Sequence, residues 1–229
     1  MINWSPEFQG LDQTTKDLLL RQSTRRTFSN NGIIYVQEDD ADRFYFVESG
    51  YVRLSYLMED GTAILYAIVP PGQSFGELGV FDQSYYPDTA SSIGEATIVG
   101  VRSDLFHDDH HQKSVLMDAL GKLIAKRYRT YIDVTKSLYL STLTARLAQS
   151  LLRLIDSLGE TMDYEGRQVS FLGSSVTQSD LGAMARGTRG NVNRALKSWE
   201  REGWIVVKNR RIIVLRRREL EMLTIDEGF

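Results

Sequence analysis

The apolar positions change their period along the chain. Over residues 5–21, Phe8, Leu11, Leu18 and Leu19 recur at helical spacing and predict one short helix with those four on its buried side. From about residue 27 to 101 short β-rich runs take over, at 33–36, 44–47, 51–57, 63–68, 90–93 and 97–101. Turn residues stand between them: Asn31-Gly32, Ser49-Gly50, Asp60-Gly61 and Pro70-Pro71-Gly72. Short strands punctuated by glycine predict an antiparallel barrel or jelly roll, whose interior is a candidate ligand pocket. A long helical stripe follows: Leu116, Leu120, Leu123, Arg127, Tyr131, Val134 and Leu138 step by four or three, with no Gly or Pro after Gly121. It exceeds what one small barrel must cover, so part of it is expected to pack against a second copy. A second helix, over about 142–158, ends at Gly159 and offers Leu147, Leu151, Leu154 and Leu158 to a C-terminal core. After residues 163–172 come two short helices, a tight hairpin and a terminal helix over 218–223.

The two short helices lie within residues 176–196, VTQSDLGAMARGTRGNVNRAL. Thr177 followed by Asp180 is a capping-box start. Leu181, Met184 and Ala185 then keep helical spacing, and Arg186-Gly187 ends the helix, with glycine expected to take the left-handed exit. Thr188 caps the next helix, where Val192, Ala195, Leu196 and Trp199 form an inner stripe. Arg189, Gly190, Asn193, Arg194 and Lys197 lie outside it. This is the layout of a helix-turn-helix, which presents its second helix to the DNA major groove. The residue types suit DNA recognition. A guanidinium bonds guanine O6 and N7 together, an Asn amide bonds adenine N6 and N7, and cations neutralise phosphate. Residues 204–208 and 211–215 flank Asn209-Arg210 as a candidate wing.

The chain's net charge of −3 argues against a nucleic-acid partner until its distribution is read. Residues 1–111 hold 7 Lys+Arg against 17 Asp+Glu, net −10, whereas 176–218 hold 11 against 3, net +8. A basic end faces a polyanion, and the acidic end has a different role. The 229 residues contain no cysteine, which excludes disulfides and a thiolate-held iron–sulfur cluster. No run is apolar enough for a membrane partner, and a cytoplasmic location fits.

All three histidines fall in His107-Asp108-Asp109-His110-His111. The run admits a metal or haem site, but reads better as a polar cap opening the long helix, with no metal assigned. Nothing resembles a G-x-S-x-G elbow, a P-loop, H-E-x-x-H or a kinase signature, so no catalytic residue is assigned. Asp39-Asp40 and Glu59-Asp60 read as solvated turn acids, and Tyr85-Tyr86-Pro87 either stacks on a ligand or plugs the cavity.

Taken in order, acidic barrel, long helix, second helix, helix-turn-helix and basic hairpin resemble the cyclic-AMP receptor protein and fumarate–nitrate regulator (Crp/Fnr) family over nearly the whole chain. The resemblance is carried by residues 44–54 (FYFVESGYVRL) and 71–78 (PGQSFGEL) in the barrel, and by 188–196 (TRGNVNRAL) continuing through 197–205 (KSWEREGWI). It implies an α+β chain: an N-terminal jelly-roll effector domain (1–111), a dimerisation helix and hinge (112–139), and a C-terminal winged helix-turn-helix (140–229). It implies further a homodimeric, effector-controlled regulator of near-palindromic double-stranded DNA, its recognition helices about 34 Å apart, with RNA polymerase a candidate partner.

The departures are as informative. Family members that bind cyclic AMP have Gly-Glu in a phosphate loop and an Arg-Ser pair before a strand. Here Gly76, Glu77 and Leu78 match the loop, but the Arg-Ser positions fall on Asp88 and Thr89, or on Pro87 and Asp88. The long helix keeps the family's arginine as Arg127 but places Tyr131 and Ile132 where a hydroxyl pair faces adenine. An aspartate would repel phosphate in a poorly screened pocket, so the pocket reads as degenerate for cyclic AMP. Another small ligand, or filling by the protein's own side chains, is expected instead. The recognition helix keeps both family arginines, as Arg189 and Arg194, but has Gly190 where a glutamate often stands. The resemblance makes Arg189, Arg194 and Asn193 the base readers, and Thr177, Gln178, Lys208 and Arg210 phosphate contacts beside Thr188 and Lys197. A ligand-independent DNA binder with the barrel as dimerisation scaffold, and a haem or metal sensor, stand as alternatives.

Overall fold

A computed structural model describes residues 4–108 and 112–225. Its contacts divide the chain into two units, residues 1–131 and 132–229. The expected boundaries at 111 and 139 fall on either side of that division, and one long helix runs through it.

The first unit opens with α1 (Pro6–Gln9) and α2 (Gln13–Arg21) rather than one helix. Asp12 breaks the run by capping α2, accepting from the Thr15 amide at 2.7 Å. Phe8, Leu11 and Leu19 are buried as expected, while Leu18 is half-buried. The strands are β1 (Ser23–Phe28), β2 (Ile33–Tyr35), β3 (Arg43–Leu57), β4 (Ala63–Val69), β5 (Ser74–Phe75) and β6 (Thr89–Arg102), with α3 (Glu77–Asp82) between the last two. They form one antiparallel sheet in the order β1-β6-β3-β4, with β2 on β6 and β5 on β3. The expected runs 44–47 and 51–57 are a single strand, and so are 90–93 and 97–101. Ser49-Gly50 is therefore an irregularity within β3, not a turn. Gly50 has φ +78°, and a Cβ there would lie 2.4 Å from the Glu95 carbonyl oxygen. β1 has no alternating signature because its Thr24, Arg25, Arg26 and Thr27 are all exposed.

Inside this sheet the aromatic side chains form two groups. Phe8, Phe44, Phe46 and Phe106 pack with ring centroids 5.0–6.5 Å apart. Tyr35 stacks on Tyr86 at 3.8 Å and Tyr45 on Phe75 at 5.1 Å. A 3-10 turn, Ser103–Phe106, precedes the long helix α4 (Lys113–Leu138). The stripe expected to meet a second copy is largely turned inward: Leu116, Leu120, Leu123 and Val134 are buried within this chain. A different face is left open, on which Tyr128 is 64% and Ile132 36% exposed.

The second unit contains α5 (Leu143–Leu158), β7 (Glu160–Tyr164), β8 (Arg167–Leu172), α6 (Gln178–Ala185), α7 (Arg189–Arg201), β9 (Ile205–Lys208), β10 (Arg211–Val214) and α8 (Arg217–Met222). The segment after α5 is a hairpin that the sequence pattern did not reveal. The unit's four strands form one sheet in the order β7-β8-β10-β9. Leu147, Leu151, Leu154, Leu181, Met184 and Trp199 fill the core.

Candidate nucleic-acid interface and barrel site

α6 begins as the sequence requires: Thr177 Oγ1 accepts from the Asp180 amide, and Asp180 Oδ2 accepts from the Thr177 amide at 2.8 Å. The Thr177 hydroxyl also donates to Asp180 Oδ2 at 2.7 Å, so its one proton is spent inside the capping box. The turn departs from expectation. Arg186, not Gly187, takes the left-handed conformation, with φ 54°. Gly187 serves packing instead: a Cβ there would stand 2.4 Å from Leu143 Cδ1. Gly182 admits the turn to the surface of α6, since a Cβ would lie 2.6 Å from the Gly187 carbonyl oxygen.

Thr188 caps α7, accepting from the Asn191 amide at 3.2 Å. Val192, Leu196 and Trp199 are buried, whereas Thr188, Arg189, Gly190, Arg194 and Lys197 are exposed and Asn193 is half-buried. No atom but Thr188 Oγ1, at 3.9 Å, lies within 4 Å of where a Gly190 side chain would start, so the glycine is not required by packing. Arg194 donates to the Asn191 side-chain carbonyl on its own helix. A cleft of about 520 Å³ joins Thr177, Gln178, Arg189 and Arg210, above a floor that includes Leu196 and Ile212. Asn193, Arg194, Lys197 and Lys208 stand outside that lining. The wing turns through Asn209 and Arg210, both left-handed at φ 52° and 62°. Two residues missed from sequence hold this unit in shape. Glu200 accepts from the Val207 amide at 2.9 Å, tying wing to helix, and Arg146 donates to the Ala185 carbonyl at 2.9 Å, closing the end of α6. Both carry out backbone bonding at long range, for which no local pattern exists.

In the first unit Gly76 (φ +84°) caps α3 and places Glu77 in the interior, 3% exposed. Arg127 Nε donates to Glu77 Oε1 at 2.9 Å and its Nη2 to the Ser74 carbonyl at 3.1 Å. Burial works against that guanidinium charge, but Glu77 beside it raises its pKa above the ordinary value. Asp88 is buried and accepts from the Tyr35 hydroxyl at 2.8 Å and from the Tyr66 hydroxyl. Burial lifts its carboxyl to about 6, against the Tyr35 bond and the Arg127 charge, which lower it. Tyr131 packs on Tyr66 with ring centroids 4.8 Å apart, and burial together with the Asp88 and Glu77 charges raises its hydroxyl pKa. Thr89 instead accepts from the Gln37 amide at 3.0 Å, and Leu78 is half-buried. Glu77 with Arg127, and Asp88 with Tyr35 and Tyr66, thus form two hydrogen-bonded groups, with Tyr131 close enough to feel the charges of both.

His107 shares a hydrogen bond of 2.5 Å with the Val80 carbonyl. Asp109, His110 and His111 lie outside the described residues, so the expected polar cap does too. Among the described residues no three His, Cys, Asp or Glu side chains are arranged to hold a metal ion. Among them, too, no helix is long and apolar enough to cross a membrane.

Comparison with known proteins agrees with both units. Residues 25–108 match the family model of the cyclic nucleotide-binding domain, and residues 145–223 that of the Crp-like helix-turn-helix domain. The chain is 25% identical over 207 residues to the CRP-like cAMP-activated global transcriptional regulator of Mycobacterium tuberculosis, covering 90% of this chain and 91% of that one. It is 28% identical over 196 residues to the transcriptional regulator LdrP of Thermus thermophilus, covering 86% and 94%. Among solved structures, FixK2 from Bradyrhizobium japonicum shares the fold, with a TM-score of 0.75 and 22% identity over 89% of this chain and 98% of that one. The relatives are regulators rather than enzymes. With both domains matched in order, and full-length relatives of the same build, the chain belongs to the Crp/Fnr family of transcription regulators.

Proposed function

We propose that this regulator acts as a homodimer on a near-palindromic DNA site and answers to a small effector other than cyclic AMP. The observation that carries the DNA reading is the outer face of α7: exposed Arg189, Gly190, Arg194 and Lys197 on a helix held down by Val192, Leu196 and Trp199. Arg189 and Arg194 read guanines, Asn193 reads adenine, and Gln178, Lys208 and Arg210 meet phosphates. Thr177 contributes less than its position suggests, because its proton is committed to Asp180. The α6 N-terminus offers backbone N–H groups to a phosphate in its place. Dimerisation uses the open face of α4, where Gly121, Ala125, Tyr128, Ile132 and Thr135 step by four and three.

The barrel residues do not fit a cyclic nucleotide. The position that would pair a phosphate holds buried Asp88, Arg127 is committed to Glu77, and the Tyr131 ring lies against Tyr66. Mobility-shift titration of selected operator fragments tests the DNA reading. Arg194→Ala should lose at least about tenfold in affinity for its selected site while keeping the wild-type dimer mass. Unchanged discrimination between selected and random DNA would refute it. Thermal-shift titration with cyclic AMP tests the barrel reading, and a saturable shift would overturn it.

A further inference from the structure

We propose that the barrel carries a second small-molecule site, apart from the phosphate loop, that binds a free aromatic α-amino acid. The proposal rests on the reading that a small effector other than cyclic AMP controls this protein, and it says where that effector enters.

A cavity of about 540 Å³ opens on the barrel unit, within the size range of small-ligand sites. Half-buried Phe28 and the edges of the buried Tyr35, Tyr45 and Tyr86 line it with aromatic carbon. Arg26 of β1 and Arg43 of β3 bring guanidinium groups, while Asp39, Asp40 and Asp42 on the loop between β2 and β3 bring carboxylates. Rings favour a planar apolar group through stacking and edge contacts. Guanidinium forks favour a carboxylate, and carboxylates favour an ammonium. A ligand with several negative charges meets three aspartates, and one with several positive charges meets two arginines. A molecule carrying an aromatic ring and one charge of each sign satisfies all three sets, and an aromatic α-amino acid is the smallest common molecule of that kind. Arg43 is already held in place, donating to Thr24 Oγ1 at 2.9 Å and lying 3.6 Å from Asp42. Gly100 lies beneath it: a Cβ there would stand 3.1 Å from Tyr45 and 3.4 Å from the Arg43 stem.

The cavity shares a wall with the Asp88 network. The Tyr35 ring lines it while the Tyr35 hydroxyl donates to Asp88 at 2.8 Å. Tyr86 lines it too, stacks on Tyr35, and reaches to within 3.4 Å of the space beside Gly76, which precedes Glu77. A ligand that displaces these rings changes the surroundings of Asp88, and those of Glu77 with its partner Arg127 on α4.

The test uses the full-length protein in equilibrium dialysis against L-phenylalanine, L-tyrosine and L-tryptophan, each up to about 10 mM, a range that reaches weak effectors. Phenylacetate and phenethylamine, one charge each, are the controls. At least one amino acid should bind saturably, and both controls about tenfold more weakly. Thr24→Trp, an exposed strand position that an indole fills without entering the core, should weaken the amino acid at least about tenfold. Arg26→Ala should weaken the amino acid and phenylacetate but not phenethylamine. No saturable binding by any of the three, or equal binding by wild type and Thr24→Trp with Arg26→Ala also unchanged, overturns the site. Operator affinity measured with and without the bound amino acid separates the two claims. Binding that leaves operator affinity unchanged keeps the site and refutes effector control through it.

Discussion

Asp88→Asn exchanges a buried carboxyl for a neutral group of the same shape, between two tyrosine hydroxyls. Burial raises the folded carboxyl from 3.8 to about 6. Two decades of proton affinity at about 1.4 kcal/mol each amount to about 3 kcal/mol. Because the folded state holds the proton more tightly than the unfolded one, it binds more protons between those values. The stabilisation from Asp88 is therefore complete below about pH 4 and is lost as pH rises through about 6. At pH 7 the protein bears the full cost of an ionised, buried aspartate.

Urea denaturation of wild type and Asp88→Asn, from pH 4 to pH 7.5, isolates this group, since every other carboxylate is common to both proteins. The difference in unfolding free energy should move in favour of the Asn variant by about 3 kcal/mol between the two ends, with its midpoint between pH 4 and 6. A difference that stays flat to within about 0.5 kcal/mol would refute the burial of this carboxylate. A difference that moves toward wild type would mean that Arg127 lowers the folded carboxyl more than burial lifts it.

Glu77→Gln leaves the buried Arg127 charge without its counterion and should cost about 3–5 kcal/mol in the same denaturation assay, whereas Glu77→Leu with Arg127→Met should cost less than the single change. Gly182→Ala would ordinarily gain about 0.5–1 kcal/mol in a helix; here it should lose about 1–3 kcal/mol, because its Cβ would strike the Gly187 carbonyl. Gly190→Glu should raise stability by up to about 0.5–1 kcal/mol, since nothing but Thr188 Oγ1 lies near and a first helical turn favours Glu over Gly, and should shift the selected half-site by adding an acceptor for cytosine N4. Selection of the same half-site by both proteins would mean that position 190 does not face a base.

The sequence made the second unit more legible than the first. The capping box at Thr177, the inner stripe through Trp199 and the Asn-Arg turn of the wing are local features, and each is where spacing placed it. What was misread there is the glycine: Gly187 signals a turn, but whether it supplies φ or clearance for Leu143 depends on a side chain 44 positions away. In the barrel, β-rich runs located all the strands but β1 and β5, and glycines marked their irregularities. Yet Gly50 and Gly94 lie within strands rather than between them, because a long strand that bends needs the same residue as a turn. β1 was missed because it buries almost nothing, and the β7–β8 hairpin because β7 buries no residue and β8 buries only Phe171 and Leu172 at its end. The long helix shows the limit of periodicity most clearly. Two stripes share it, and only packing tells which one the chain itself covers.

The Gly76-Glu77 pair illustrates how a family motif outlives the reading first attached to it. A side chain at position 76 would meet Tyr45, Tyr86 and the Arg43 backbone within 3.4 Å, with φ already at +84°. Glycine is therefore required there by the barrel alone. Glu77 is required by Arg127, which would otherwise be a buried, uncompensated cation. Neither residue needs a phosphate to explain it, so the match of residues 25–108 to a cyclic nucleotide-binding domain identifies the fold without identifying a ligand. The discriminating position is Asp88. A carboxylate buried beside Tyr35 and Tyr66 is stabilised by hydroxyl donors and opposed by any anion that approaches. The effector proposed above would meet the wall of this interior, at Tyr35 and Tyr86, rather than its buried charges.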